Sequence, residues 1–140
     1  MRKTIVFLTL LCVGGAAQAA PPETLEIPAG DKPLQAVLYR PEGSGPFPAI
    51  VALHDCDGLR GKAGLVRKPL EDWGKRLSAA GFVVLFPDSY ASRGVGQQCS
   101  VKTPPVRPDR ERIADTQAAR DWLQKQDFIR KDRITLLGWG

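Results

Sequence analysis

The sequence has 140 residues, of which 43% are hydrophobic and 25% charged, and its 20 basic and 15 acidic side chains give a formal net charge of +5. This composition is typical of a globular protein and excludes a disordered or low-complexity chain, and the length suffices for one modest domain. The basic residues are scattered singly among acidic ones rather than gathered with aromatic residues, which argues against nucleic-acid binding.

Residues 1–19 have the pattern of a secretory signal peptide. Arg2 and Lys3 form a basic start, Thr4–Val13 is an almost unbroken apolar run, and Ala17–Ala19 has the A-x-A pattern of a cleavage site. The apolar run is shorter than the roughly 20 residues that span a bilayer. We therefore expect cleavage after residue 19, export to the periplasm or the outside of the cell, and no stable membrane anchor on the mature chain.

Two cysteines, Cys56 and Cys99, remain once the predicted signal peptide is removed. In an oxidising compartment an even number of cysteines favours a disulfide over free thiols. Such a bond would close a loop of about 40 residues and stabilise the fold by roughly 3–4 kcal/mol in the chain-entropy model. Two unrelated thiols, one buried and one in a loop, are the alternative.

The mature sequence begins with a predicted β-hairpin. Glu23–Ile27 and Pro33–Tyr39 each alternate apolar and polar residues, and a turn that contains proline and glycine separates them. Phe47–Leu53 differs because it is continuously apolar, as expected of a strand buried on both faces. The polar residues His54–Asp57 follow it directly, at the strand end where open α/β sheets bind ligands.

A first helix is predicted over Pro69–Ala80. Proline suits a first helical turn, acidic residues come next, where the helix dipole favours them, and Gly81 can end the helix. Leu70, Trp73 and Leu77 recur at helical spacing, so we expect this face to pack on the sheet.

The second half of the chain repeats the pattern of strand and helix. Phe82–Phe86 and Ile134–Leu137 are continuously apolar and predict a second and a third buried strand, with a second helix, Asp109–Gln126, between them. No helix follows the third strand in this sequence, so one of its faces is expected to lack cover. The predicted apolar face of the second helix consists of Ala114, Ala118 and Trp122, with Ala119 and Leu123 beside them.

Residues 91–108 form a polar stretch without periodicity that is longer than an ordinary connection. Loops of this length are usually functional or tied down, and Cys99 would supply a tie. Arg93 and Arg112 are expected to form ion pairs with Asp115 that hold the loop. Arg112 and Asp115 lie three residues apart on the predicted helix, where opposite charges attract.

The order of the elements is hairpin, strand, helix, strand, helix, strand. Such alternation requires right-handed crossovers and a parallel sheet with helices on its faces. The sequence therefore predicts one α/β domain over residues 20–140.

Two groups of polar residues at the strand ends could carry chemistry by themselves. His54–Asp57 contains four potential metal ligands, but consecutive residues of one loop cannot easily surround an ion, so no metal site is predicted. Asp88 and Ser89 follow the second buried strand, but Ser89 comes directly after Asp88, and capping and turn formation explain both residues.

Four segments carry a family resemblance: PAIVALHDCDGLRG (48–61), AAGFVVLFPDSYASRGVGQQC (79–99), RERIADTQAARDWL (110–123) and DRITLLGWG (132–140). In this order and spacing they resemble the dienelactone hydrolase family of the α/β-hydrolase superfamily, in particular its exported members. The resemblance implies the N-terminal half of an α/β-hydrolase fold, with an antiparallel hairpin, then parallel strands and crossover helices in three αβα layers. It also implies hydrolysis of a small carboxylic ester or lactone through an acyl-enzyme, without a cofactor.

In that superfamily the fifth strand leads into a nucleophile elbow, G-x-[S/C]-x-G. Gly138 matches the first glycine, Trp139 the variable residue, and Gly140 stands where the nucleophilic Ser or Cys is expected. Glycine has no side chain that can attack a carbonyl, and the triad acid and histidine have no counterpart in the sequence. The resemblance therefore predicts an incomplete copy that stops at the elbow and is inactive alone. The alternative is a non-catalytic exported fragment or binding module.

The resemblance also implies that His54, Asp55 and Cys56 form the loop that binds the oxyanion, with the Cys56 amide as donor. His54 is the single histidine of the sequence and has two alternative roles. It could close the strand end by hydrogen bonding, or it could act as a general base.

Overall fold

The computed structural model describes residues 20–140, so the predicted signal peptide lies outside the described residues. Within this range five strands and two helices follow the predicted order, and a short 3-10 helix, Ala91–Arg93, follows the fourth strand. Within residues 20–140 the two α-helices have 12 and 14 residues, and neither could span a bilayer. The elements are β1 (Glu23–Ile27), β2 (Leu34–Tyr39), β3 (Phe47–Leu53), α1 (Lys68–Ala79), β4 (Val83–Pro87), α2 (Glu111–Gln124) and β5 (Ile129–Gly138).

The five strands form one sheet in the order β1-β2-β4-β3-β5. β1 and β2 form the antiparallel hairpin, β2 is antiparallel to β4, and β3 runs parallel to β4 on one side and to β5 on the other. Val51 of β3 lies at the centre of the parallel group, between Leu85 of β4 and Leu136 of β5. The predicted hairpin, parallel strands and α/β class are therefore confirmed.

The two helices cover opposite faces of the sheet, because the chain moves from β3 to β4 in one direction and from β4 to β5 in the other. On one face, Ala119 and Leu123 of α2 join a core that includes Val51 of β3. On the other face, Leu70 of α1 packs among buried residues that include Phe86 of β4. Because β3 and β4 are covered on both faces, their sequences are continuously apolar.

β5 differs from its prediction in length and in burial. It begins at Ile129, five residues before the predicted start at Ile134, and includes the charged stretch 130–133. Among the described strands it pairs only with β3, so its other edge faces solvent, and Leu136 keeps 56% of its surface exposed. The exposed Leu136 agrees with the expectation that one face of this strand lacks cover, whereas the predicted start at Ile134 and the prediction of a buried strand are wrong, since an edge strand accepts charged and exposed residues.

The face of α1 that packs on the sheet is also different from the predicted one. Leu70 is buried as predicted, but Trp73 is 44% exposed, and Gly74 and Ser78 are buried instead. The reason is the close approach of the helix to Tyr39 of β2. A Cβ atom on Gly74 would lie 2.6–2.8 Å from three ring atoms of Tyr39, so only glycine fits there.

The buried face of α2 is displaced by one residue from the predicted face. Ala114 is exposed, whereas Asp115, Ala119 and Leu123 are buried. Hydrophobic spacing could not predict this face because one of its members is an acid. Asp115 is buried because it forms an ion pair with Arg93.

Gly74→Ala should destabilise the protein by about 2 kcal/mol, although alanine normally favours a helix interior by roughly 1 kcal/mol over glycine. The added methyl group would overlap the ring of Tyr39, which is 1% exposed and packs edge-on against Phe86 at 5.9 Å. Urea unfolding measures the change, and Tyr39→Leu supplies the matched background, in which Gly74→Ala should be neutral or stabilising. Equal effects of Gly74→Ala in both backgrounds would show that the ring does not oppose the methyl group.

Candidate active site

Three segments follow the carboxyl ends of β3, β4 and β5 and lie at one edge of the sheet, residues 54–58, 88–90 and 138–140. The chain leaves β3 toward β4 and later returns to β5 on the other side of β3. The carboxyl ends of β3 and β5 therefore flank the point at which the strand order reverses. In open α/β sheets this is the position that binds ligands.

The first segment contains a tight turn, Asp55–Gly58, named here the β3 turn, in which the Gly58 amide donates to the Asp55 carbonyl at 3.1 Å. Arg67, the residue before α1, holds this turn from one side. Its guanidinium donates to the carboxylates of Asp55 at 2.6 Å and Asp57 at 3.2 Å. A third bond of 3.1 Å reaches the Gly58 carbonyl. The sequence did not identify Arg67, because its partners lie 9 to 12 residues away in a loop without regular spacing.

His54 is fully buried beside the β3 turn. Its Nδ1 lies 2.8 Å from the Asp55 carbonyl oxygen, which can only accept, so Nδ1 carries the proton. Its Nε2 is buried and has no hydrogen-bond partner within residues 20–140, and its ring packs edge-on against Tyr90 at 4.6 Å. Burial lowers the pKa of His54, against the opposing effect of its bond to the Asp55 carbonyl. The neutral ring thus takes part in the hydrogen bonding at the strand end, and its part in an oxyanion loop stays a prediction.

Burial of His54 should make the stability of the protein depend on pH. Above pH 6.5, the ordinary pKa of a histidine side chain, His54 is neutral in the folded and the unfolded protein. Below it the unfolded chain takes up a proton, while the folded protein stays neutral until the lowered pKa of His54 is reached. We therefore expect the free energy of unfolding to fall by up to about 1.4 kcal/mol per pH unit across this window.

Urea unfolding at about pH 7.5 and 5.5 measures this effect, with His54→Gln as the control that cannot titrate. Other groups that titrate in this range affect both proteins alike. The wild type should lose more stability than His54→Gln on acidification. An equal loss in both proteins would contradict a neutral, buried His54.

The predicted disulfide is present and joins Cys56 of the β3 turn to Cys99, 43 residues later. The Gln98 amide donates to the Cys56 carbonyl at 2.8 Å. The Cys56 amide itself donates no hydrogen bond to any residue of the described part of the chain. The Asp55 amide likewise donates to no residue of this range, so the β3 turn presents two unused backbone donors at the sheet edge, those of Asp55 and Cys56.

The end of β5 places residue 140 against the β3 turn. The Trp139 amide donates to the Leu53 carbonyl at 3.1 Å, which continues the strand pairing to this point. Gly140 has a φ of 97°, in the left-handed region that favours glycine. A Cβ atom on Gly140 would lie 3.3 Å from the Cβ and 3.6 Å from the Cα of Asp55. Position 140 thus adjoins Asp55, the residue whose carbonyl carbon is bonded to the Cys56 amide.

The segment after β4 has a structural role. The Asp88 carboxylate accepts the backbone amides of Tyr90 at 3.3 Å and Ala91 at 3.0 Å, and it also pairs with Arg60 at 3.2 Å. Ser89 is 2% exposed and lies on no elbow. The prediction that Asp88 forms a turn is confirmed, whereas the 3-10 helix that follows has Tyr90 as its N-cap and no side-chain cap bond.

One of the two predicted ion pairs of the long loop is confirmed. Arg93 donates two hydrogen bonds of 2.8 Å to Asp115, whose surface is 1% exposed. The predicted pair of Arg112 with Asp115 is wrong. Asp115 points into the core toward Arg93, whereas the guanidinium of Arg112 donates to the backbone carbonyl of His54.

An open cleft of about 580 Å³ lies between α2 and β5, beside residue 140. Most of its lining is apolar and includes Leu53, Ile113, Leu136 and Trp139. Arg112 is its charged lining residue. The volume lies within the range of clefts that bind small organic molecules.

Within residues 20–140, no group of three or more His, Cys, Asp or Glu side chains is arranged to hold a metal ion. The four potential ligands that follow β3 already have partners. The sulfur of Cys56 is in the disulfide, the carboxylates of Asp55 and Asp57 contact Arg67, and Nδ1 of His54 donates to a carbonyl.

The sequence profile of the dienelactone hydrolase family matches residues 34–140. No curated protein sequence shows significant similarity to the chain. Among solved structures, the chain is similar to a dienelactone hydrolase-like promiscuous phosphotriesterase, P91, from metagenomic libraries. The identity is 17% and the TM-score 0.67, over 87% of this chain and 49% of P91.

Two further solved structures show the same fold. The structure named m3DLH has 21% identity and a TM-score of 0.66, over 89% of this chain and 50% of that one. EstE1, a thermophilic carboxylesterase cloned from a metagenomic library, has 22% identity and a TM-score of 0.59, over 87% of this chain and 37% of EstE1. The chain spans about half the length of P91 and m3DLH and adopts part of the α/β-hydrolase fold. Because the family profile covers most of its length, the chain belongs to the dienelactone hydrolase family.

Proposed function

We propose that the protein that carries this sequence hydrolyses carboxylic esters or lactones, and that its β3 turn binds the oxyanion. Family membership supports the reaction class. The main support for the site is the backbone amide of Cys56, which donates no hydrogen bond within residues 20–140. This amide directly follows Asp55, and Asp55 is in contact with position 140. Preorganised backbone donors at a developing oxyanion supply much of the rate enhancement in acyl transfer.

In the proposed reaction a nucleophile attacks the carbonyl carbon of the substrate, and negative charge develops on the carbonyl oxygen. The Cys56 amide donates to that oxygen. Arg67 keeps the donor in place, because it is bonded to the residues on both sides of Cys56, Asp55 and Asp57. A donor that does not move during the reaction stabilises the transition state more than one that must first reorganise.

The cleft between α2 and β5 supports a small and mostly apolar substrate group. Its apolar lining would bury an alkyl or aryl group, while Arg112 at its edge favours a polar or anionic substituent. A carboxylic ester or lactone of modest size has this combination of properties.

The proposal requires a nucleophile and a general base that this sequence does not contain. Gly140 lies at the predicted nucleophile position and has no side chain. His54 is the single histidine of the sequence, and its ring is buried with Nδ1 bonded to a carbonyl. These two groups would have to come from residues outside this sequence.

A non-catalytic binding module is the second candidate function, and Gly140 is the observation that favours it. In such a protein the cleft and the β3 turn would bind a small ester or carboxylate without turnover. The two candidates differ in turnover but share the same ligand surface.

Steady-state assays of the full-length, oxidised protein with p-nitrophenyl acetate and a small lactone test the proposal. We expect hydrolysis with an initial burst of p-nitrophenol, because an acyl-enzyme forms faster than it is hydrolysed. Saturable quenching of tryptophan fluorescence by the substrates, without turnover, would favour the binding module. The absence of both turnover and binding would contradict both candidates.

We also propose that residues 1–19 are a signal peptide that is removed during export, as their charge and apolar pattern suggest. The intact mass of the protein recovered from the periplasm or the medium should correspond to a chain that begins at Ala20. Recovery only from the cytoplasm, or an exported chain that retains residues 1–19, would contradict this proposal.

A further inference from the structure

The Cys56–Cys99 disulfide lies at the surface of the protein, because both cysteines are exposed. It joins the β3 turn of the candidate site to a loop that lies 43 residues later in the chain. The β3 turn contains Cys56. The loop is the segment 97–106, which lies between the 3-10 helix and α2 and contains no helix or strand. An exposed disulfide is open to attack by a thiolate in a way that a buried one is not.

The segment 97–106 has few polar ties to the rest of the protein. Within residues 20–140, the one conventional hydrogen bond that leaves this segment runs from the Gln98 amide to the Cys56 carbonyl. The other bonds are internal, such as that from the Val106 amide to the Gln98 side chain at 3.3 Å. Apart from the chain on either side and the packing of the buried Gln98 and Val106, the cross-links of the segment therefore end on the same residue, Cys56.

The β3 turn is held from two sides. Arg67 binds the side chains of Asp55 and Asp57 from the α1 side, and Cys99 holds Cys56 from the loop side. If the disulfide opened, the bonds from Arg67 to Asp55 and Asp57 would remain, but no covalent cross-link would hold Cys56 itself. The amide of Cys56 would gain freedom to move while the neighbouring strands keep their pairing.

We propose that the Cys56–Cys99 bond is a redox modification site, reduced in the folded protein by dithiols, and that its opening releases the β3 turn and the segment 97–106 together. A thiolate of the dithiol attacks one sulfur, and the other sulfur leaves as a thiolate and takes a proton. The second thiol of the reagent then displaces the first cysteine. The dithiol becomes a cyclic disulfide and loses two electrons and two protons, which the two cysteines gain.

The effect on hydrolysis rests on the proposed function, since it requires the Cys56 amide to be the oxyanion donor. Reduction would then lower kcat, because a mobile donor is no longer preorganised. The release of the two segments does not depend on any activity, so the structural and the catalytic parts can fail separately.

Hydrogen exchange of the full-length protein, read by mass spectrometry with and without dithiothreitol, tests the structural part. Iodoacetamide labelling of Cys56 and Cys99 reports reduction under the same conditions, without denaturant. We expect a reduction rate proportional to the dithiol concentration, and exchange about tenfold faster or more at residues 54–58 and 97–106, while β3 and β4 remain folded and are the slowest segments to exchange. The variant Cys56→Ser with Cys99→Ser should show the same exchange pattern without reductant and no response to it.

Three results would overturn the proposal. A reduction rate independent of dithiol concentration would mean that the bond opens only after global unfolding. Unchanged exchange at both segments after complete labelling would mean that the disulfide does not hold them. Faster exchange throughout β3 and β4, with loss of the circular dichroism spectrum, would mean that the bond supports the whole fold rather than this site.

Discussion

Replacement of Asp115 by alanine should lower the free energy of unfolding by about 3 kcal/mol, or roughly 10 °C in Tm for a domain of this size. Asp115 is 1% exposed and accepts two hydrogen bonds of 2.8 Å from Arg93. Without the carboxylate, the guanidinium keeps its bond to the Ser89 carbonyl but loses its counter-ion, and the buried side of the pair is left without a charged group. The Arg93 side chain is 32% exposed, so water reduces the cost to the lower end of the range for buried pairs.

Asp121 supplies the matched control on the same helix. It is exposed and lies 3.7 Å from an equally exposed Arg120, so Asp121→Ala should change the stability by less than about 0.5 kcal/mol. Asp115→Asn keeps the shape of the side chain but not its charge, and an intermediate loss is expected. Thermal unfolding followed by circular dichroism measures all three variants. A similar Tm for Asp115→Ala and Asp121→Ala would show that the buried pair does not anchor the loop to α2.

The strands β3 and β4 could be predicted from the sequence because both are covered on two faces. Such strands must be continuously apolar, and this pattern is local and visible in the sequence. β5 could be predicted only in part. Its apolar end pairs beside β3, whereas the charged stretch 130–133 continues the strand along an edge, where sequence does not constrain side chains.

The helix faces were less predictable because contacts between distant residues decide them. Gly74 is buried because α1 approaches the ring of Tyr39, and no helical spacing reveals that contact. Asp115 is buried because Arg93, 22 residues earlier, neutralises it. A prediction that places only apolar residues in the core cannot include a buried acid, so the predicted face of α2 was wrong by one residue.

In the candidate site, too, some features could be predicted from the sequence, and others depend on contacts between distant residues. The disulfide between Cys56 and Cys99 could be predicted from cysteine number and the expected compartment, without any geometry. The role of Arg67 could not be predicted, because it depends on a turn whose side chains converge only in the folded protein. For the same reason, the partner of Arg112 proved to be a backbone carbonyl rather than a nearby acid.

Proline at position 56 would remove the backbone amide hydrogen that we propose binds the oxyanion. Two variants of the full-length protein allow the comparison. One is Cys56→Pro with Cys99→Ser, and the other is Cys56→Ser with Cys99→Ser. Both lack the disulfide, so any effect of its loss is common to them. Circular dichroism and Tm establish that both variants are folded.

The decisive measurement is kcat for p-nitrophenyl acetate in these two variants. We expect the proline variant to be slower than the serine variant by about 10²–10³-fold, with a smaller change in KM, because the lost bond forms mainly in the transition state. Equal kcat values in the two folded variants would contradict the assignment of the Cys56 amide as the oxyanion donor.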